Sequence, residues 1–432
     1  MKSVMNRNKV IISREGTYME LRRDRMLNCF CSVLMLFVNM GVLSTAFSVY
    51  FPYIREMKGF SNTQVFLLTT MRQIFAMIVM TQSDRYFRAL DIKKGSIITF
   101  LVAAAAFGIL AFTPDARLYY LATSLFGVAY GLGGMIPASI LLRRWYPQHS
   151  GTAIGIAAAG SGLAGMIIPV LATRMVEGYG LSAAFAAQGA VILLLCIPLL
   201  LFVKDHPAEE EMAEERSREG AKIASGAAYR AAADVGGGTG HKEVSGDFRL
   251  TDHPRLLIGM ILMGLLAFQP AAGFSMLFRT NGYEMGKVAL LISAMGFFLI
   301  PSKILVGKFA DRFGGRRMLR DCTLLVSATL FLFSLTAFLP YPVLFLVQLV
   351  YALGIAETSV GISIIAGDYA SPAAYARTLK TCQFFYALGG LLFSTVNGMV
   401  ADLTGSYAPA YVFYALAGLV MLAVLLPDYP KK

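Results

Sequence analysis

One lysine stands inside a long apolar segment of this chain, where cations are rare. Lys303 lies eight residues before Asp311, the acidic residue of a short basic turn. At 1.5 Å per helical residue, Lys303 lies about 12 Å from that turn, near the middle of a hydrocarbon core about 30 Å thick. A charge there costs at least about 2.5 kcal/mol, so we expect it to face a cavity or a partner. An ammonium in a cavity binds an anion; the alternative is a structural ion pair with Glu357.

Two further charged residues interrupt other apolar segments. Arg72 lies twelve residues before Asp84, which places it near the same depth as Lys303. We interpret Arg72 as a second cation for the same anion, with a gate pair or a helix brace as alternatives. Glu357 is the carboxylate well inside a predicted span, and its proton occupancy can respond to a nearby cation. It is therefore the candidate for proton coupling, unless it only neutralises a buried cation.

Uncharged polar side chains at the same depth could bind a hydroxyl or a carboxylate. The candidates are Ser44, Thr45, Ser48, Tyr130, Gln269, Gln383 and Tyr386. Each could instead join neighbouring helices through a hydrogen bond. The sequence contains neither a cluster of metal ligands nor a nucleophile with its base, so we expect no metal, no cofactor and no enzyme activity.

The elements that position these residues are membrane helices. The chain has 432 residues, of which 56% are hydrophobic and 15% charged, too few polar residues to cover a soluble globule of this size. Apolar segments of about 20 residues recur, which favours helices over barrel strands. We predict an all-α polytopic membrane protein with twelve transmembrane helices. The predicted spans are 26–50, 62–82, 94–113, 118–142, 151–175, 182–203, 255–279, 285–308, 318–339, 342–367, 375–400 and 407–427.

Basic residues indicate the orientation of these spans. They precede the first span and fill the even-numbered turns: Arg22, Arg23, Arg25, Arg85, Arg88, Lys93, Lys94, Arg143, Arg144, Arg312, Arg316, Arg317 and Arg320. By the positive-inside rule, both termini are expected on the cytoplasmic side of the inner (cytoplasmic) membrane. The net charge of +12 therefore indicates membrane topology rather than nucleic-acid binding.

A polar stretch divides the spans into six and six. Residues 204–253 form the predicted cytoplasmic linker between bundles at 26–203 and 254–428, with a cytoplasmic N-terminal segment at 1–25 and a cytoplasmic tail at 429–432. The halves repeat at an offset of 227 positions, which pairs Asp84 with Asp311 and Tyr130 with Glu357. Two pseudo-symmetric six-helix bundles of this kind hold a binding site near the membrane midplane.

A signature in the second half supports a family resemblance. The turn Gly307-Lys-Phe-Ala-Asp-Arg-Phe-Gly-Gly-Arg-Arg317 resembles the G-x-x-x-D-R-x-G-R-[RK] motif of the major facilitator superfamily. The first-half copy, Ser83-Asp84-Arg85-Tyr86-Phe87-Arg88, is degenerate because Met80 replaces its leading glycine. The resemblance implies the major facilitator fold and transport by alternating access. It also implies a conformational gate formed by Asp84, Arg85, Arg88, Asp311, Arg312, Arg316 and Arg317.

A narrower resemblance concerns the substrate. The stretches Leu141-Leu-Arg-Arg-Trp-Tyr-Pro147 and Asp402-Leu-Thr-Gly-Ser-Tyr407 are similar to the monocarboxylate transporter and oxalate/formate antiporter branch. That branch has a substrate-binding Arg where this chain has Lys303. Its oxalate members have a second cation, a Lys, at the position of Leu388, so this chain lacks that cation. Arg72 could compensate for the missing Lys.

This second resemblance implies a secondary transporter of a small organic anion, most of all a monocarboxylate. Proton symport and anion exchange both fit. The expected partners are a small carboxylate, protons and membrane lipid, with no nucleic acid, and the expected state is a monomer. Proton-coupled efflux of a drug or cation, with Glu357 binding the cation, is the first alternative. A non-transporting membrane sensor is the second.

Overall fold

The helices of this chain have the length and composition of membrane spans. A computed structural model describes residues 22–113, 115–146, 150–207, 253–370 and 375–430. Within these ranges, eleven helices are long and apolar enough to cross a membrane. Large side chains such as Phe112, Leu201 and Phe338 are exposed on the outside of the helix assembly, where a bilayer covers them. The all-α polytopic membrane fold is therefore confirmed.

The described residues form twelve long helices in two sets of six. The first set is α1 (Arg22–Lys58), α2 (Asn62–Met80), α3 (Ile92–Phe112), α4 (Ala116–Trp145), α5 (Ser150–Tyr179) and α6 (Leu181–Phe202). The second set is α7 (Pro254–Thr280), α8 (Met285–Phe313), α9 (Gly315–Ser334), α10 (Tyr341–Tyr369), α11 (Tyr375–Leu392, then Val396–Thr404) and α12 (Ala408–Asp428). A short helix, Ser83–Ala89, follows α2. Most of the predicted linker, 208–252, belongs to the part of the chain that is not described.

Helix α9 takes the place of the predicted span 318–339. It is not among the eleven apolar spans because its first turns carry Arg316, Arg317, Arg320 and Asp321. Its 20 residues nevertheless reach about 30 Å at 1.5 Å per residue, which is enough to cross a hydrocarbon core. The helix therefore completes the second set of six.

The two sets of helices pack in the same pattern. In the first half, α2 packs against α4, α3 packs against α4 and α6, and α1 packs against α5. In the second half, the corresponding pairs are α8 with α10, α9 with α10 and α12, and α7 with α11. The halves meet through α5 with α8, α2 with α11 and α1 with α7. This repetition gives the two pseudo-symmetric six-helix bundles that the sequence predicts.

Four helices lose regular α geometry along their length, one of them α11 over residues 393–395. Helix α1 is π-helical over Phe37–Ala46 and then 3-10 over Phe47–Tyr50. Helix α4 is interrupted at Gly134, and α10 at Ala356. Irregular backbone at membrane depth is tolerated where protein or a water-filled cavity surrounds it. These breaks therefore indicate the level at which a cavity is expected.

The halves are joined at one face of the membrane. We call this face the distal side; it contains the turns at 59–61 and 405–407, and the opposite face, where α1 begins and α12 ends, is the terminal side. On the distal side, Arg279 Nε lies 3.0 Å from Glu56 Oε1, and Ser275 donates a 2.6 Å hydrogen bond to the Ser48 carbonyl. Both contacts connect α7 to α1 across the two halves.

On the terminal side, two ion pairs connect segments of the same half. Lys204 pairs with Asp24 at 2.5 Å within the first half. Arg255 pairs with Asp428 at 2.8 Å within the second half. Together with the contacts on the distal side, this arrangement indicates halves that are closed against each other at the distal face.

Helices α5 and α8 cross closely because glycines without side chains lie at their contact, and this predicts the effect of a substitution on stability. A Cβ added to Gly296 would lie 2.7 Å from the carbonyl carbon of Gly165. We expect Gly296→Ala to lower the midpoint of thermal unfolding in detergent, because overpacking of this kind costs about 1–3 kcal/mol. Gly286 lies in the same helix, and nothing lies within 4 Å of its added Cβ. Gly286→Ala is the control and should leave the midpoint unchanged or raise it; equal midpoints for the two variants would contradict the packing account.

Candidate functional site

A cavity of about 200 Å³ lies between the two halves. Helices α1, α2, α4 and α5 line it from the first half, and α7, α8, α10 and α11 line it from the second. This volume is below the 300–1,000 Å³ typical of pockets for drug-sized ligands, so it suits a smaller molecule. Its polar lining consists of Ser44, Thr45, Ser48, Thr69, Arg72, Tyr130, Ser161, Lys303, Thr358, Ser359 and Tyr386, with the phenol of Tyr351.

Lys303 lines this cavity from α8. The cavity-facing stripe of α8 is Ile292, Met295, Leu299 and Lys303, which recur at the spacing of three or four residues that one helix face requires. Lys303 is half-buried, and no carboxylate of the described residues lies within 4.0 Å of its ammonium. The alternative of an ion pair with Glu357 is therefore wrong for this arrangement of the helices. The ammonium is available to an anion in the cavity.

Arg72 lines the same cavity from α2 and belongs to the other half. Its side chain is only 7% exposed, and its guanidinium carbon lies 5.3 Å from the centre of the Tyr130 ring. Cation–π contact of this kind holds a guanidinium in place without neutralising it. No ion pair is formed between Arg72 and a carboxylate anywhere in the described ranges.

Two glycines explain why the Tyr130 ring reaches Arg72. A Cβ added to Gly127 would overlap the carbonyl oxygen of Arg72, and one added to Gly131 would lie 2.7 Å from that of Ala76. Both glycines therefore allow α4 to lie directly on the backbone of α2. Tyr130 stands between them in sequence, so the close crossing places its ring beside the guanidinium.

The lining of the cavity is positively charged. It includes Arg72 and Lys303, and none of its residues is an aspartate or a glutamate. Charges interact far more strongly in a site of low effective dielectric than in water, so two cations without an acid favour a negative guest. Hydroxyl groups on the same walls can donate hydrogen bonds to that guest.

Glu357 does not line the cavity. The cavity-facing stripe of α10 is Tyr351, Ile355 and Thr358, and Glu357 is turned about 100° away from Thr358 around the helix. Its side chain is fully buried, with one oxygen accepting a 2.7 Å hydrogen bond from the Thr323 hydroxyl of α9. The other carboxylate oxygen has no partner among the described residues.

Gly354 accounts for this position of Glu357. A Cβ added to Gly354 would lie 2.8 Å from a methyl group of Val326, so α10 approaches α9 there. The repeat-related Gly127 instead brings α4 against α2. Tyr130 consequently faces the cavity, whereas Glu357, its counterpart in the repeat, faces α9.

Two of the predicted polar ligands also lie away from the cavity. Gln269 is fully buried in α7, and its side-chain amide donates a 2.5 Å hydrogen bond to the Gly390 carbonyl of α11. The backbone carbonyl of Gln269 accepts a 2.7 Å hydrogen bond from the side-chain amide of Asn397. Gln383 is exposed on α11 and is not part of the lining. Gln269 therefore joins two helices, while Ser44, Tyr130 and Tyr386 are at the cavity as predicted.

Comparison with known proteins decides the family. The profile of the Major Facilitator Superfamily matches residues 29–364, more than half of the chain. The chain belongs to the Major Facilitator Superfamily. The crystal structure of the D-xylose-proton symporter shares the fold, with a TM-score of 0.67 at 15% identity over 93% of this chain and 96% of that one. The family and the fold are those of transporters rather than enzymes.

The chain is similar to relatives within the superfamily whose names describe different substrates. The multi-drug resistance efflux pump PmrA of Streptococcus pneumoniae serotype 4 is 23% identical over 354 residues, covering 79% of each chain. A putative tartrate transporter of Agrobacterium vitis is 24% identical over 335 residues, 74% of this chain and 71% of its own. Monocarboxylate transporter 12 of Mus musculus is 22% identical over 357 residues, 78% of this chain and 71% of its own.

The residues of the superfamily signature lie at the terminal side. Asp311 and Arg312 are exposed in the last turn of α8. Arg317 is exposed in the first turn of α9, where Arg316 is half-buried. The Arg312 guanidinium lies 5.3 Å from the centre of the Phe313 ring. Arg85 and Arg88 are exposed on the short helix Ser83–Ala89, and the side chain of Asp84 is not among those described. Their role as a gate stays a prediction.

Five hydroxyl-bearing residues of the lining were missed by the sequence reasoning. They are Thr69, Ser161, Tyr351, Thr358 and Ser359. Thr69 could have been found, because it stands three residues before Arg72 and therefore shares its helix face. Thr358 and Ser359 directly follow Glu357, but only the contact between α9 and α10 shows that they, and not Glu357, face the cavity.

The unpaired ammonium generates a prediction for binding. We expect Lys303→Ala to weaken the binding of a short carboxylate to the purified protein by at least tenfold, about 1.4 kcal/mol, because a charge-assisted hydrogen bond is lost. Lys303→Arg keeps the charge and should lose less. Lys308 is an exposed lysine of the same helix outside the lining, so Lys308→Ala is the matched control. Isothermal titration calorimetry measures all three; an unchanged affinity in Lys303→Ala removes this residue from the site.

Proposed function

We propose that this protein is a secondary active transporter of a small organic anion that works by alternating access. One observation carries the proposal: Arg72 and Lys303 come from different halves, line the same cavity and have no carboxylate partner among the described residues. An anion held by both would connect the two halves. Its arrival and release would therefore favour different arrangements of the halves.

A monocarboxylate is the substrate class that we propose within this function. A single carboxylate offers two oxygens, one for each of the two cations, and the cavity volume of about 200 Å³ suits a short molecule. The hydroxyl residues around the cations can bind the hydroxyl or keto oxygen of such an acid. Two relatives support a carboxylate by their names, one a putative tartrate transporter and the other a monocarboxylate transporter.

The proposal includes an orientation and a coupling. The basic even-numbered turns support cytoplasmic termini in the inner membrane, with the distal side outside. Coupling is by proton symport or by anion exchange. Glu357 supports proton coupling, because a carboxylate buried without a cation must take up a proton or acquire a partner. We propose a monomer surrounded by lipid.

Efflux of a drug or a cation is the second candidate, favoured by the similarity to PmrA. A cation would need an acidic group in the cavity to offset its charge. Neither an aspartate nor a glutamate belongs to the lining, and Arg72 and Lys303 repel a cation. The geometry therefore supports the anion better.

Direct uptake distinguishes the two candidates. In proteoliposomes, we expect accumulation of labelled lactate or another short carboxylate, competed by unlabelled carboxylates and not by their uncharged amides. A lipophilic cation is the second substrate offered. Transport of the cation with no response to any carboxylate would overturn the anion proposal and favour efflux.

Glu357→Gln tests the coupling separately. The amide keeps the shape of the side chain but cannot exchange a proton, so accumulation driven by a pH gradient should be lost while exchange of internal for external substrate continues. Glu284→Gln is the control, since Glu284 is an exposed carboxylate of the second half. Undiminished pH-driven accumulation in Glu357→Gln would exclude this residue as the proton carrier.

A further inference from the structure

Asp402, in the last turn of α11, binds the beginning of a helix in the other half. One oxygen accepts hydrogen bonds from the backbone nitrogen of Asn62 at 3.1 Å and from its side-chain amide at 2.7 Å. The other accepts from the backbone nitrogen of Thr63 at 2.8 Å and from its hydroxyl at 2.5 Å. One carboxylate of the second half thus receives four donors from two consecutive residues of α2.

The two backbone donors are N–H groups that the capping box of α2 does not bind. Ser61 accepts from the Gln64 nitrogen at 3.1 Å, and the Gln64 side chain accepts from the Ser61 nitrogen at 2.8 Å, which together form a capping box. The N–H groups of Asn62 and Thr63 have no intrahelical acceptor at this position. Asp402 supplies it, with a negative charge at the positive end of the helix dipole.

The backbones also fit closely at this point. A Cβ added to Gly398, one turn before Asp402, would lie 2.6 Å from Thr63 Cα and 2.7 Å from the Asn62 carbonyl oxygen. The Tyr407 hydroxyl donates a 2.7 Å hydrogen bond to the Asn62 side-chain oxygen. Residues from both sides of the end of α11 therefore hold the first turn of α2.

The same seam between α2 and α11 continues to the cavity. The hydroxyls of Thr70 and Ser394 lie 2.7 Å apart, and the Gln73 amide donates to the Gly390 carbonyl at 3.2 Å. Thr70 and Gln73 alternate along α2 with the cavity residues Thr69 and Arg72. Opening the cavity to the distal side requires this seam to separate, and Asp402 is its charged contact.

We propose that Asp402 is the lock of the distal gate. Its carboxylate completes the N-terminal cap of α2 only while the halves are closed at this face, and release of that cap is required for the cavity to open there. An ion pair between the halves also lies on this side, Arg279 with Glu56, whose side chains are 39% and 43% exposed. The Asp402 carboxylate is exposed as well, but it receives four charge-assisted hydrogen bonds. The inference depends on alternating access in the superfamily and not on the identity of the substrate.

Cysteine accessibility tests the lock without any substrate. Ala272 lines the cavity, so Ala272→Cys in a chain whose five cysteines are replaced reports access from the distal side to a membrane-impermeant methanethiosulfonate reagent. In this background, we expect Asp402→Asn to speed labelling about tenfold, because charge-assisted hydrogen bonds are lost. Thr63→Val removes one donor and should give a smaller increase.

Asp115 provides the matched control. Its side chain caps α4 by accepting from the Arg117 nitrogen at 2.9 Å, a contact within one half. Asp115→Asn should leave the labelling rate unchanged. An unchanged rate in Asp402→Asn, or equal increases in both asparagine variants, would overturn the proposal. If Asp402→Asn cannot be purified as folded protein, Thr63→Val decides in the same way, and its failure to speed labelling would overturn the lock.

Discussion

The arrangement of this protein depends on the cost of placing two cations at membrane depth without an acid beside them. Arg72 and Lys303 line one cavity, and among the described residues neither is paired with a carboxylate. A charge at this depth requires a partner or water, and a partner supplied by the protein would occupy the cations that we propose bind an anion. The fold therefore holds these cations by other means. The ring of Tyr130 holds Arg72, and the walls of the cavity supply hydroxyls.

The pseudo-symmetry of the two bundles is close in helix packing and broken at the site. Equivalent helix pairs pack in both halves. At the equivalent glycines, however, α4 lies against α2 while α10 lies against α9. As a result, Tyr130 lines the cavity. Glu357 instead faces α9 and accepts a hydrogen bond from the Thr323 hydroxyl. In the function that we propose, this difference separates the proposed anion site from the proposed proton site.

The fold was predictable because its signals are long and repeated. Hydropathy identifies eleven spans among the described residues, and the signature from Gly307 to Arg317 identifies the superfamily. The positions of Lys303 and Arg72 at the cavity could be predicted from their distance along a helix to the turn at its end. Glu357 was harder to place, because depth along a helix says nothing about the face, and here a contact between Gly354 and Val326 decides the face.

The positions of Gln269 and Asp402 also depend on tertiary contacts that the sequence does not reveal. Gln269 lies at the predicted depth, but its side-chain amide donates a hydrogen bond to the Gly390 carbonyl. This partner is 121 residues away and is supplied only by tertiary packing. Asp402 belongs to a stretch that the sequence analysis used only for a family resemblance, yet its contacts reach 340 residues back to Asn62. Long-range hydrogen bonds of this kind cannot be derived from spacing within one segment.

The most direct measurement is a structure of the protein with a short carboxylate that carries bromine, such as 3-bromopropionate, located by its anomalous signal. The account predicts bromine in the cavity, with the carboxylate within hydrogen-bond distance of the Lys303 ammonium and on the side of Arg72. Bromine bound elsewhere, or a Lys303 ammonium that stays out of reach of the carboxylate, would contradict it.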